Sequence, residues 1–181
     1  MIEKLLNQEK LSTEEYFPAQ LQNWWQDHNR FCFSDGLTTH ELVFFNPAIF
    51  RFRMAPHGEL LDGFSYAVVA QPEESFAVDI EENEEHLTLK TAALHVVLAK
   101  TNMRLSIYDT EGFLLNQDAD GPVWQNNFNH GGFYLRCTKA QQAHENFFGL
   151  GDKAADASLW GKKFTLWNTD SYAFQANQDD P

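Results

Sequence analysis

Trp167, Asn168, Thr169 and Asp170 follow directly on the short alternation of Phe164 and Leu166, and Tyr172 comes soon after. The set holds a carboxylate, an amide, a hydroxyl and two aromatic rings. A carboxylate accepts hydrogen bonds from two neighbouring sugar hydroxyls, and the ring of Trp167 or Tyr172 fits the apolar face of a pyranose. This is chemistry for holding a sugar, not for breaking a bond. The same residues also suit an Asx-type turn, in which Asp170 bonds to its own backbone, and on composition alone the turn is favoured.

Other candidates carry less. Gly149, Gly151 and Ala154 match a relaxed dinucleotide fingerprint, which needs a buried parallel strand before it and a helix N-terminus to take the pyrophosphate. Short β-type segments precede it instead, and Asp152 would place a negative charge beside the phosphate. A turn passing close beneath neighbouring strands explains the glycines better. His130-Gly131-Gly132 is similar to the opening of an esterase oxyanion loop, but no Gly-x-Ser-x-Gly elbow accompanies it. It reads as a glycine turn entering a strand at Phe133. The histidines at 28, 40, 57, 86, 95, 130 and 144 show no His-x-x-x-His pair, and neither cysteine has a near partner for zinc. No structural metal and no cofactor are expected, although a surface calcium held by acidic loops stays open. Glu81 to Glu85 read as a hairpin turn whose carboxylates point into water, where nothing raises a pKa for general-acid work. Arg51 and Arg53 share a strand face; they could take an anion or a neighbouring domain, and alternation alone explains them as exposed.

The elements that must position these groups are strands. The chain has 181 residues, sixteen of them Phe, five Trp and five Tyr, a balance that favours strands over a helical bundle. A chain of this size suits one domain that buries about two-thirds of its unfolded surface. The net charge of −13, with no basic stripe, argues against a nucleic-acid partner. Cys32 and Cys137 either pair across neighbouring strands or, the plainer expectation, are two buried free thiols. Met1 to Tyr16 is polar without an apolar signal core, and no apolar run is long enough for a membrane span. The chain therefore reads as cytoplasmic, although one that begins after a removed signal would look the same.

Residues 1–15 read as a polar lead-in, 16–174 as one β-domain and 175–181 as a polar connection. Leu21 to Trp25 and Phe31 to Phe33 flank the hairpin turn Asp27-His28-Asn29. Leu42 to Phe45 runs to a break at Asn46-Pro47, after which Phe50, Phe52 and Met54 alternate with the two arginines. Phe76, Val78 and Ile80 alternate, Leu87 and Leu89 follow, and the apolar run Ala92 to Ala99 suits a strand covered on both faces. Leu105 and Ile107 lead to Asp109-Thr110-Glu111-Gly112, a bulged hairpin loop with glycine in the left-handed position. Phe133, Leu135 and Cys137 alternate again, with no amphipathic helix anywhere between. The expected fold is an all-β sandwich of many short antiparallel strands.

Phe147-Phe148-Gly149-Leu150-Gly151-Asp152-Lys153, followed within a hairpin's length by Leu166-Trp167-Asn168-Thr169-Asp170, resembles the end of the N-terminal β-domain of the family 31 glycoside hydrolases, the α-glucosidase and α-xylosidase group. The likeness covers the chain from about Tyr16 onward and is specific between Phe147 and Asp170. It implies a galactose-mutarotase-like supersandwich, and it reverses the preference for an Asx turn: Asp170 would sit on a loop projected over the mouth of a catalytic barrel and bind substrate hydroxyls. Trp167, Asn168 and Tyr172 would flank it. The resemblance implies two catalytic aspartates on a (β/α)8 barrel downstream of Pro181, so no catalytic residue is expected within the chain. Its implied partners are that barrel and an oligosaccharide or α-glucoside substrate; residues 175–181 would begin the connection to the barrel, and the chain alone would be an inactive piece of a longer enzyme. Two other readings remain, a stand-alone carbohydrate-binding module and a mutarotase-like epimerase; the latter needs a His acid and a carboxylate base in one cleft of a longer sandwich.

Overall fold

The computed structural model describes residues 14–58, 60, 65–73, 75–127, 131–143, 145–149 and 158–164. The chain divides into two compact units, Met1–Ala140 and Gln141–Pro181. The first unit holds eleven described strands: β1 Asn23–Asp27, β2 Arg30–Ser34, β3 Thr39–Asn46, β4 Ile49–Ala55, β5 Asp79–Glu82, β6 His86–Lys90, β7 Leu94–Ala99, β8 Leu105–Asp109, β9 Leu114–Gln117, β10 Val123–Asn126 and β11 Phe133–Arg136. They form two antiparallel meanders, β1-β2-β3-β4 and β5-β6-β7-β8-β9, and a separate ribbon, β10-β11. The one helical turn among the described residues is the short 3-10 segment Pro56–Gly58. The all-β expectation holds.

Each meander turns one face inward. In the first, register sets Phe31 opposite Leu42 and Leu42 opposite Phe52, so large apolar groups fall on one side. Phe31, Phe33, Leu42 and Phe44 from that side join Leu87, Leu89, Leu94, Val96, Leu98 and Leu105 of the second meander in a single core. Each such side chain stabilises the fold by about 1.5–3 kcal/mol through burial. Phe44 makes edge contacts with Phe31, Phe50 and Phe76, the arrangement the ring quadrupole favours. Polar contacts pin the meanders at their margins: Thr91 Oγ1 donates to the Pro47 carbonyl at 2.6 Å, and Trp24 Nε1 donates to Glu82 at 3.3 Å.

The turns follow their residues. β1 and β2 join through His28 and Asn29, with His28 in the left-handed region at φ 52°. Between β8 and β9, Asp109 Oδ1 accepts from the Glu111 and Phe113 amides, Gly112 takes φ 89°, and a bulge sits at Ile107/Tyr108.

Three expectations need correction. The run Ala92 to Ala99 is not covered on both faces: along β7, Leu94, Val96 and Leu98 are buried while His95, Val97 and Ala99 are half-buried, because only one face of this sheet meets the other meander. Glu81 and Glu82 are not turn residues; they end β5, where they pair with Lys90 and Lys100 at 2.6 and 2.5 Å, so only Glu84 and Glu85 lie in the turn itself. Cys137 is exposed, because it follows β11, a strand exposed along its whole length; Cys32 is buried, and both thiols are free.

Candidate functional site

Trp167, Asn168, Asp170 and Tyr172 lie outside the described residues, as do His130, Gly151, Asp152 and Ala154. What is described is the approach to them in the second unit. The Leu159 amide donates to the Phe147 carbonyl at 2.8 Å, Lys162 donates to the Leu159 carbonyl at 3.2 Å, and Ser158 Oγ bonds to Asn146 Oδ1 at 3.2 Å. These contacts set the segments 145–149 and 158–164 side by side. Gly149 turns the chain at φ 114°, a conformation that disfavours any side chain. Phe148 and Trp160 are 71% and 57% exposed beside this turn. Rings of that size left in water suit contact with a partner surface or a ligand.

Among the described residues of the first unit, the buried carboxylates Asp35, Glu41 and Asp118 are all engaged by the fold. Asp35 accepts from the Ala19, Leu37 and Thr38 amides at 3.0, 3.0 and 2.7 Å. Burial pushes its carboxyl up, but these donors, with His40 nearby, hold it below the usual aspartate value. Asp118 accepts from the Leu105 amide at 2.8 Å and pairs with Lys139 at 2.5 Å. Beside it, a cavity of about 70 Å³ has Phe50, Phe52, Leu105 and Ile107 in its wall, room for water but not for a sugar ring.

Glu41 is the exception to the expected strand pattern. Its side chain, on the sheet face opposite the core, is only 1% exposed. Register puts Glu41 between Cys32 and Arg53, and puts Val43 between Arg30 and Arg51 in the adjacent row. Arg53 grips the carboxylate twice, through Nε at 2.7 Å and Nη2 at 2.9 Å; Arg30 Nε lies at 2.7 Å and Arg51 Nη2 at 3.4 Å. Thus Arg51 and Arg53 are not merely the exposed face that alternation suggests, because the Glu41 carboxylate on the neighbouring strand gathers them. Burial raises the Glu41 pKa, but the Arg53 hydrogen bonds and charge, then Arg30 and Arg51, bring it below the ordinary glutamate value. A signal existed in the sequence: Glu41 and Arg53 each lie six residues from Pro47, in the turn that joins their strands.

A general acid requires a carboxyl pushed upward. Asp35 and Glu41 are held downward, so neither is poised for that role. His40 is buried with both ring nitrogens unpartnered among the described residues, and burial lowers its pKa to about 4 despite the nearby Asp35 charge. The described His–carboxylate contacts, His28–Asp27 and His86–Glu85, join exposed sequence neighbours. None is the acid and base in one cleft that an epimerase needs.

Residues 39–181 match the family model for the glycosyl hydrolase 31 N-terminal galactose mutarotase-like domain. The chain belongs to this family. It is 35% identical over 141 residues to alpha-glucosidase 2 of Bacillus thermoamyloliquefaciens, an alignment covering 78% of the chain and 17% of that relative. Among solved structures, a family 31 dextranase from Flavobacterium johnsoniae complexed with isomaltotriose superposes with a TM-score of 0.73 at 20% identity, over 91% of this chain and 20% of its own. The cycloalternan-forming enzyme from Listeria monocytogenes, in complex with a pentasaccharide substrate, gives 0.75 at 16% identity, over 92% of this chain and 16% of its own. These structural likenesses show the fold. The chain thus spans a fifth or less of the length of the relatives it matches.

Proposed function

We infer that this family 31 N-terminal domain serves a retaining α-glucosidase, buttressing a downstream (β/α)8 barrel and supplying a loop to its substrate pocket. The observation that carries this reading is the 35% identity to an alpha-glucosidase over most of the chain. The downward-held carboxylates agree with it, since a retaining glycosidase needs two aspartate or glutamate side chains flanking the bond, one of them protonated. Those two belong to the barrel. Asp170 provides a binding carboxylate, with Asn168, Trp167 and Tyr172 beside it on the loop.

Two measurements test this. The full-length polypeptide is expected to hydrolyse a chromogenic α-glucoside, whereas the 181-residue chain turns over neither α-glucoside nor α-xyloside. Turnover by the purified chain would overturn the placement of catalysis on the barrel. Asp170→Ala in the full-length enzyme is expected to lower kcat/KM at least tenfold, since a hydrogen bond to a charged group contributes roughly 1.5–3 kcal/mol. The melting temperature should stay nearly unchanged. A destabilised but fully active variant would instead make Asp170 a turn residue.

A further inference from the structure

The ion cluster around Glu41 is not balanced. Each carboxylate oxygen already meets two nitrogens: Oε1 meets Arg53 Nε and Arg51 Nη2, and Oε2 meets Arg53 Nη2 and Arg30 Nε. A carboxylate accepts at about four lone-pair positions, so Glu41 is saturated. Three guanidiniums against one carboxylate leave two positive charges on the outer face of β2-β3-β4, in a chain whose net charge is −13. The excess lies on Arg30 and Arg51, the two more exposed members of the cluster. Arg51 reaches Glu41 through one nitrogen at 3.4 Å and is otherwise held with its guanidinium over the Phe45 ring, 5.6 Å from the centroid. That contact uses the flat face of the group and leaves its remaining N–H edges without a described partner. Arg30 has Nε on the carboxylate and one hydrogen bond to the Cys32 thiol; its other N–H groups are likewise without a described partner. The two arginines flank Val43 in one cross-strand row, about 10 Å apart at the backbone, and both lean toward the same carboxylate. The neighbouring acids do not fill the gap. Asp27, opposite Arg30, is turned to His28 Nδ1 at 2.9 Å, and Glu73, whose amide donates to the Phe45 carbonyl, pairs with neither arginine.

We propose that Arg30 and Arg51 form a site for a dianionic oxyanion of the phosphate class, seated over Val43 between the two guanidiniums. Two uncompensated positive charges select two negative ones, and planar N–H forks match the paired oxygens along the edge of a tetrahedral oxyanion. A cation is repelled, a neutral ligand leaves both charges unmet, and chloride offers no paired oxygens for the forks. Glu41 and the Phe45 ring hold the arginines in place before any ligand arrives, so little side-chain freedom remains to be lost on binding. An oxyanion here would link β2 to β4 across β3 and so stabilise the first meander, because a ligand that binds the folded chain alone shifts unfolding in its favour. The free phosphate ion and the phosphoryl group of a sugar phosphate present the same oxygens to the site. The site does not depend on the α-glucosidase reading of the parent enzyme.

The test is a titration of the isotope-labelled 181-residue chain with sodium phosphate at mildly alkaline pH, where the ion is a dianion, against sodium chloride at matched ionic strength. NMR at the arginine side-chain N–H groups reads the result. Saturable shifts at Arg30 and Arg51 are expected in the millimolar range, with a melting temperature that rises in phosphate above its value in chloride. Arg51→Ala, a folded variant because its side chain is half exposed and makes the longest contact of the cluster, is expected to bind phosphate at least tenfold more weakly. A parallel titration with glucose 6-phosphate separates the two sources: equal affinity assigns the site to the phosphate group alone, and tighter binding assigns it to a sugar phosphate. Identical responses to phosphate and chloride, or undiminished binding by Arg51→Ala, would overturn the proposal.

Discussion

Glu41→Ala is expected to destabilise the domain by about 3 kcal/mol, the scale on which removing one member of a buried ion cluster acts. The carboxylate is 1% exposed and is the point on which Arg30, Arg51 and Arg53 converge. Without it, three guanidiniums face one another over a small void, and those of Arg30 and Arg51 relieve the repulsion only by swinging into water. Arg51→Ala is the internal control. Arg51 is 42% exposed and makes the longest contact, 3.4 Å, so its loss is expected to cost under about 1 kcal/mol. Urea unfolding of both variants at neutral pH decides the matter, and equal effects would show that Glu41 is not the organising charge. The cluster also predicts a pH dependence. Since the Glu41 pKa is depressed in the fold, its contribution is complete above the ordinary glutamate value of 4.5 and is lost as pH falls through the folded value below it.

His40 produces a second loss, at higher pH. Its folded pKa is about 4 against 6.5 for the model value, so between those limits the unfolded chain takes up a proton that the folded chain refuses. Stability is therefore greatest above the unfolded value and declines as pH falls from 6.5 toward 4, by about 3 kcal/mol in all at 1.36 kcal/mol per pK unit. The cause is burial: the ring stacks 5.8 Å from Phe52, and neither nitrogen has a described partner to stabilise the charge. The Asp35 charge acts in the opposite sense and is too weak to restore the pKa. His40→Phe is expected to remove this slope while leaving the loss from Asp35 and Glu41 at more acid pH. Stability at pH 7 should hold or rise, because two unpaired polar atoms leave the core. Unfolding curves measured across that window compare the two proteins directly, and an unaltered slope in His40→Phe would refute the assignment.

Local order was legible in the sequence because it depends on neighbours a few residues apart. The alternation from Phe50 to Met54, the break at Asn46-Pro47, and glycine at position 112 of the β8-β9 loop each report a backbone preference that packing did not have to overrule. The family signature around Gly149 is local in the same sense, and residues 39–181 match the family model. The partners of charged and polar groups were a different matter. Glu41 in isolation reads as a solvent-facing residue of an alternating strand; it is buried because β2 and β4 both bring arginines to its face. His40 lies on the opposite face for the same reason of parity, and a second meander far along the chain closes over that face. Arg136 finds Glu15 across 121 positions, a contact that exists only once Tyr16 has paired with Trp124. Side-chain spacing along a strand decides which residues share a face, but whether that face meets water, another sheet or a counter-charge is decided by register and sheet packing. Those come from segments with no periodic relation to one another, and so only the tertiary structure could decide which groups titrate, which are locked and which stand open to a ligand.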